Sequence, residues 1–387
     1  MKPKLHILPV IIISQFACTS LWFAGNAIIE PLMLKTGMGL EIIGYALSSV
    51  QLGFIVGTLV FALLMIADRY PPARVFMFCA LLASFCNFIL LSASLSKGLL
   101  LMARFGTGFF LAGIYPVGMK IAADYYEKGL GKALGFLVSA LVLGSAFPFL
   151  INGLEWGRDY RAVIMITSGL AVLGGFMLWA LVPNGPYRKH STKLFLRAGP
   201  DLFKIKGFRS AAFGYFGHMW ELYAFWAFTP LAVETYNGIH HTAMPVALTT
   251  FGIIATGGIS CVLGGLLSLR HGSKKVALVS LALSGSLCLA SPFLFWLAAP
   301  LFIAGWILWS MAVIADSPQF SRLVADSVPI ELKGTALTLV NCIGFAISIV
   351  SIQLLAYLVD RMNVNYLFLF LVLGPVLGLA GLKGKTP

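Results

Sequence analysis

The segment GYFGHMWELYAFWAF, Gly214 to Phe228, sets His218 and Glu221 in an otherwise apolar, aromatic run. Three residues apart, they share one face of a helix, a face that Phe225 continues. The chemistry open to such a pair is proton transfer: a carboxyl takes up or releases a proton, and an imidazole tunes or relays it. Only two other ionisable residues lie deep in apolar runs, Arg104 and Asp316. A guanidinium there can hold an anion bidentately because it stays charged. Asp316 stands just before Pro318, so it either joins the proton chemistry or caps the backbone that the proline frees. For Glu221 the bland alternative is a static pair with Arg104 or His218 that only fixes packing.

What those groups mean depends on the solvent around them. The 387 residues are 59% hydrophobic and 11% charged, with a mean hydropathy of +0.92, whereas soluble domains carry about 25% charged residues. This composition specifies an integral membrane protein. Apolar runs near the ~20 residues that cross hydrocarbon recur near 7–29, 41–67, 74–96, 98–122, 130–152, 161–182, 209–233, 243–268, 275–296, 298–321, 333–357 and 363–382. A carboxylate at mid-depth in such a run costs several kcal/mol and is functional by default. The net charge of +13 points to topology, not to nucleic acid. With both termini in the cytoplasm, most Lys and Arg fall inside, and the outer loops keep only Lys35, Lys97, Arg158, Arg161 and Arg361. The first apolar run is too long for a signal peptide and lacks a clear cleavage site. The six cysteines all fall within spans, as small apolar side chains that imply neither disulfides nor a metal.

The polar stretch within 183–208 divides the spans six and six, so an N-terminal bundle over 1–182 and a C-terminal bundle over 209–387 are expected. The halves repeat. Pro116, Lys120 and Asp124 at the end of span 4 match Pro318, Arg322 and Asp326 at the end of span 10 at one constant offset. Two six-helix halves related by a parallel repeat are a common layout of secondary transporters.

Over essentially its whole length the sequence resembles the major facilitator superfamily. After span 2, LMIADRYPPARVF keeps Asp68 and Arg69 of that family's loop motif, with the next base at Arg74. After span 8, GLLSLRHGSKK keeps Gly265, Arg270, Gly272 and Lys274, but Leu269 replaces the Asp. The resemblance implies a latch, with Asp68, Arg69, Arg74, Arg270, Lys274, Asp124 and Asp326 as gating residues and a weaker second latch. RFGTGFFLAG resembles the fourth-helix motif, with its arginine at Arg104. Gly106 and Gly108 follow no strand, so close helix packing explains them better than a nucleotide site. Gly135 and Gly144 keep part of an antiporter signature, interrupted at Pro148. The texts SQFACTSLWFAGNAI, GYFGHMWELYAFWAF and ADSPQFSRLVADSVP are similar to a subgroup near the nitrate/nitrite porters. Spans 2 and 8 nevertheless lack the arginines of nitrate porters.

The family implies that spans 1, 4, 7 and 10 line the substrate path, and the four deep ionisable residues lie on spans 4, 7 and 10. Gln15, Thr19, Trp22 and Asn26 recur as one polar stripe if span 1 is a continuous helix. By the same logic Arg104 leads a face to Tyr115, and Trp309 and Asp316 share another with Gln319 or Phe320. The expected proton-coupling set is Glu221, His218 and Asp316. Arg104, Gln15, Thr19, Trp22, Asn26, Tyr115, Trp220, Phe225, Trp309 and Gln319 are expected at the substrate, although each aromatic alone is more often packing. No P-loop, H-E-x-x-H or Asp-rich diphosphate motif occurs, so neither a pump nor an intramembrane enzyme is expected. His240 and His241 form a lone outer pair that is more often solvated than metal-bound. The expectation is a monomeric, proton-coupled carrier of a small organic solute in the cytoplasmic membrane, without cofactor or metal. The solute is anionic if Arg104 holds it. A drug or metabolite exporter, an inorganic-anion porter, a channel and a non-transporting sensor stay open.

Overall fold

A computed structural model of the chain describes residues 5–126, 130–154, 159–188 and 199–382. Arg158 and the middle of the expected linker, 189–198, lie outside the described residues. Every regular element among the described residues is a helix. In chain order these are α1 (Ile7–Thr19), α2 (Ile29–Thr36), α3 (Glu41–Leu63), α4 (Ile66–Arg69), α5 (Pro72–Phe88), α6 (Lys97–Leu111), α7 (Tyr115–Tyr125), α8 (Leu130–Gly153) and α9 (Tyr160–Leu181). After them come α10 (Gly199–Leu202), α11 (Lys206–His240), α12 (Val246–His271), α13 (Ser273–Leu294), α14 (Ala299–Ala315), α15 (Ser317–Asp326), α16 (Lys333–Leu358), α17 (Val364–Leu367) and α18 (Leu373–Leu382). Short 3-10 turns join several of them. Contacts divide the chain into two compact units, Met1–Ser191 and Thr192–Pro387.

Ten helical segments among the described residues are long and apolar enough to cross a membrane. The expected spans 7–29 and 209–233 are not among them. The first is cut short, because α1 stops at Thr19 and residues 20–25 form turns. The second runs on through α11, whose 35 residues mix charged ends with a polar, aromatic middle.

Spans 4 and 10 also break. The α6/α7 pair parts at residues 112–114, before Pro116 in the first turn of α7, and the α14/α15 pair parts at Asp316, before Pro318 in the first turn of α15. Proline lacks the N–H that would continue the ladder but suits a helix start. The sequence repeat is therefore also a repeat of backbone interruption.

In the first unit, α3 lies against α6 at backbone distance. A Cβ on Gly108 would stand 1.8 Å from the Val50 carbonyl, and one on Gly53 would stand 2.0 Å from the Phe105 carbonyl. Small residues permit this approach, as the glycine pattern in span 4 implied. Gly108→Ala is expected to cost about 1–3 kcal/mol or more through overpacking. The check is a lower melting temperature of the purified protein. In the second unit, α11 is the central post and packs on α12, α15, α16 and α18. At Gly217 it meets Gly374 and Gly378 of α18.

Candidate functional site

In the second unit the chemistry collects on one face of α11. Glu221 is fully buried, and its carboxylate accepts three bonds. Trp309 Nε1 of α14 donates at 2.5 Å to Oε1, Ser284 Oγ of α13 at 2.9 Å to Oε2, and Cys288 Sγ of α13 at 3.4 Å to Oε1. Ser284 Oγ also lies 3.2 Å from the Leu281 carbonyl, so its hydroxyl has two acceptors to choose between. One turn before Glu221, His218 Nδ1 sits 2.8 Å from Asp316 Oδ1, and both side chains are fully buried. Tyr215 and Phe320 flank the imidazole, with ring centroids 5.8 and 6.2 Å away. The Asp316 carboxylate makes no cap bond to α15, so the proline-capping role is corrected: the histidine takes the carboxylate and the α15 start goes without a side-chain cap.

The chain on the C-terminal side of Glu221 is aromatic. Phe225 stacks on Trp306 at 5.3 Å and tilts against Trp309 at 4.8 Å. Farther along, Tyr236 stacks on Phe302 at 4.2 Å and on His240 at 4.3 Å. His240 Nε2 lies 2.7 Å from the Phe295 carbonyl, so this histidine closes the aromatic cluster where a solvated outer pair was expected. Trp220 points elsewhere, donating at 3.1 Å to the Phe370 carbonyl. Gln319 is buried just beyond the α14/α15 break, so Trp309, Asp316 and Gln319 do not share one continuous helix face.

In the first unit, Arg104 of α6 is fully buried and donates Nη1 at 3.1 Å to the Leu21 carbonyl and Nη2 to the Trp22 carbonyl. Those acceptors are available because α1 has ended and their segment is non-helical. Each of Arg104 and Glu221 thus finds its hydrogen-bond partners within its own unit. The continuous polar stripe on span 1 is corrected for the same reason. Gln15 and Thr19 lie on α1; Trp22 lies in the turns, its ring 5.0 Å from Phe54; Asn26 begins a 3-10 turn and donates to the Ile43 carbonyl at 3.3 Å. Tyr115 opens α7 beyond a break and does not continue the Arg104 face. Gln15 is fully buried against Gly118, and neither amide atom has a hydrogen-bond partner among the described residues.

The matched repeats differ in a way the loop motif explains. Lys120 pairs with Asp68 at 2.8 Å. Its counterpart Arg322 finds no Asp at position 269, which is leucine, and instead pairs along its own helix with Asp326 at 3.4 Å. Arg188 Nη2 donates to the carbonyls of Asp68 and Tyr70, and the Asp124 carbonyl accepts the Tyr187 N–H at 3.0 Å. Arg69, Arg74 and Arg270 are exposed, and Lys274 lines a cavity with Asp326.

Sequence model and fold now agree. The sequence model of the Major Facilitator Superfamily matches residues 10–210, more than half of the chain. The chain belongs to the major facilitator superfamily. A search of curated proteins finds no match. Among solved structures, the human organic anion transporter MFSD10 (TETRAN) aligns over 99% of this chain and 100% of its own, with TM-score 0.71 and 13% identity. A bacterial homologue of the human lysosomal transporter Spinster, inward-facing and occupied, aligns over 97% of this chain and 91% of its own, with TM-score 0.68 and 16% identity. The unoccupied form aligns over 97% and 94%, with TM-score 0.65 and 16% identity. The nitrate/nitrite porter subgroup finds no support in these comparisons. As a superfamily member the chain is a multi-pass membrane protein with a transporter fold.

The sequence reading weighed only four spans, so it missed Ser284 and Cys288 of α13. The signal was there: Ser280, Ser284, Cys288 and Ser291 recur at helical spacing as small polar residues in an apolar run.

Proposed function

We propose that this superfamily member is a secondary active transporter of a small organic anion, driven by protons through alternating access. The observation that carries the reading is the double acceptor set of Ser284. When Glu221 is ionised, the hydroxyl donates to Oε2. When Glu221 is protonated, the hydroxyl can turn to the Leu281 carbonyl and accept the acid proton instead. Both protonation states of a fully buried carboxyl are then hydrogen-bonded, which a proton carrier needs and a static ion pair does not. In this reading Glu221 couples protons, His218 and Asp316 assist, and Arg104 attracts the anion. The printed description of MFSD10 as an organic anion transporter is in keeping with that class.

The topology proposed with it has twelve crossings, both termini cytoplasmic, bundles over 1–182 and 209–387, the connection over 183–208, and a monomer in the cell membrane. Asp68 with Lys120 forms the stronger latch, and Asp326 with Arg322 the weaker.

The test begins with a thermal-shift screen of organic acids, because a ligand that binds the folded state raises its apparent stability. The hit is then labelled and offered to proteoliposomes. Accumulation beyond equilibrium under an imposed pH gradient, lost when the gradient is collapsed, is expected. Equal filling with and without the gradient excludes proton coupling, and no filling at all excludes a carrier of that hit.

A further inference from the structure

At the end of the second unit where α11 and α13 begin and α15 and α18 finish, the helices leave a cavity of about 300 Å³. That volume is at the lower end of the range in which proteins hold small ligands. Its wall is apolar at Ile205, Ala211, Leu323 and Leu382 and charged at Lys274 and Asp326. The hydroxyls in the wall are spent on backbone: Ser210 Oγ donates to the Gly381 carbonyl at 2.9 Å, and Ser327 Oγ to the Val324 carbonyl at 2.7 Å. Asp326 is answered by Arg322 at 3.4 Å and Lys333 at 3.7 Å, and Asp201, four residues before Ile205, by Lys204 at 2.7 Å. Lys206 and Arg209 stand exposed beside the cavity's α11 residues, and Lys275 stands exposed beside the half-buried Lys274. Even with Glu331 set against Lys206, Arg209, Lys274 and Lys275, this end of the unit stays positive.

The apolar wall continues on the surface of the unit. Leu382 ends α18, and a Cβ on the neighbouring Gly381 would stand 2.5 Å from the Phe213 Cβ, so Phe213 of α11 lies against that helix end. Phe213 is 45% exposed, and Leu377, one turn back along α18 from Gly381, is 65% exposed. A positively charged cavity beside an exposed apolar track is complementary to an amphiphile with an anionic head and hydrocarbon chains. We infer that the second unit binds an anionic diacyl phospholipid here, its headgroup phosphate in the cavity against Lys274 and its acyl chains along Phe213 and Leu377. The lysine holds the phosphate as a point charge, and the pairing of Asp326 with Arg322 and Lys333 keeps that carboxylate from cancelling the attraction. The binding depends neither on Glu221 nor on proton coupling. Only the leaflet comes from the topology proposed above: it is the cytoplasmic one, whose anionic lipids attract basic segments.

The check uses the full-length protein purified in an uncharged detergent. Its melting temperature is followed as phosphatidylglycerol, phosphatidylcholine with the same chains, or soluble glycerol phosphate is added, since a molecule held by the folded state raises its apparent stability. Phosphatidylglycerol is expected to raise the melting temperature, and the other two to leave it where it was. Lys274→Gln is expected to raise the phosphatidylglycerol concentration needed for half the effect about tenfold. Lys275→Gln is expected to leave it within about twofold, because exposed charge is screened, and Lys274→Arg to restore it. Gly207→Leu keeps every charge and fills the cavity. A Cβ there meets the Ser327 Cβ at an ordinary 3.5 Å, so this variant is expected to fold and to lose the effect as Lys274→Gln does; should it not fold, Gly207→Met replaces it with the same expectation. An equal effect of phosphatidylcholine or of glycerol phosphate, equal loss in Lys274→Gln and Lys275→Gln, or an unchanged effect in Lys274→Gln or Gly207→Leu overturns the site. All of these variants are expected to keep the thermal shift with the organic acid, so failure of the lipid site and failure of the transport reading show separately.

Discussion

Proteoliposomes carrying Glu221→Gln are expected to show no accumulation under a pH gradient, while the same protein keeps its thermal shift with the ligand. Gln preserves the shape: its amide oxygen still accepts from Trp309, and its NH2 donates to the Ser284 hydroxyl oxygen as that hydroxyl turns to the Leu281 carbonyl, so the local bonds fall from charge-assisted to neutral, from about 1.5–3 to about 0.5–1.5 kcal/mol each. Folding survives that loss, and proton exchange does not, since an amide does not titrate in this range. Glu221→Leu separates the two effects. It leaves the Trp309 N–H, and the Ser284 hydroxyl in its Glu-facing position, without an acceptor; a buried unpaired donor costs about 1–3 kcal/mol. The leucine variant is thus expected to melt well below the glutamine variant, although both lose coupling. Undiminished coupling in Glu221→Gln would remove Glu221 from the mechanism. Ser284→Ala is expected to keep binding and lower the coupled rate, because the protonated carboxyl loses the acceptor that Ser284 provides. Initial rates under a fixed gradient check it.

The residues most legible in the sequence were those that hydrocarbon penalises most. His218, Glu221 and Asp316 stood out because an ionisable group in an apolar run demands a reason, and the fold brings all three into one buried region of the second unit. Ser284 and Cys288 were hidden because a hydroxyl or thiol in a membrane helix can bond its own preceding turn and needs no partner elsewhere. The helix breaks divide the same way. Pro116 and Pro318 announced two of them, but the turns at 20–25 carry no proline. What marks that break is a tertiary event: Arg104, from another helix, occupies the carbonyls that α1 gives up. A reading confined to one helix at a time takes span 1 as continuous and therefore puts Trp22 and Asn26 on the wrong face.

That arrangement fixes what substitution of Arg104 should do. The guanidinium is fully buried, and among the described residues of its own unit no carboxylate lies within 4.0 Å; carbonyl dipoles alone attend its charge. A net positive charge in that setting favours an anion nearby, and the same two carbonyl bonds hold the broken segment of span 1 in place. Arg104→Met removes both functions. Two buried carbonyls lose their donors at about 1–3 kcal/mol each, offset in part by relief of the desolvation that a buried charge carries. A lower melting temperature and no thermal shift with the ligand are expected. Arg104→Lys keeps the charge but not the planar fork that reaches two acceptors at once. It is expected to recover much of the stability and to bind the anion about tenfold more weakly, a difference of about 1.4 kcal/mol. If Arg104→Met instead binds the organic acid as tightly as the native protein, the arginine serves only the backbone of span 1, and the anion must be held by other groups. A neutral analogue of the ligand completes the argument: it should bind the native and methionine proteins alike, because only the charged partner feels the guanidinium.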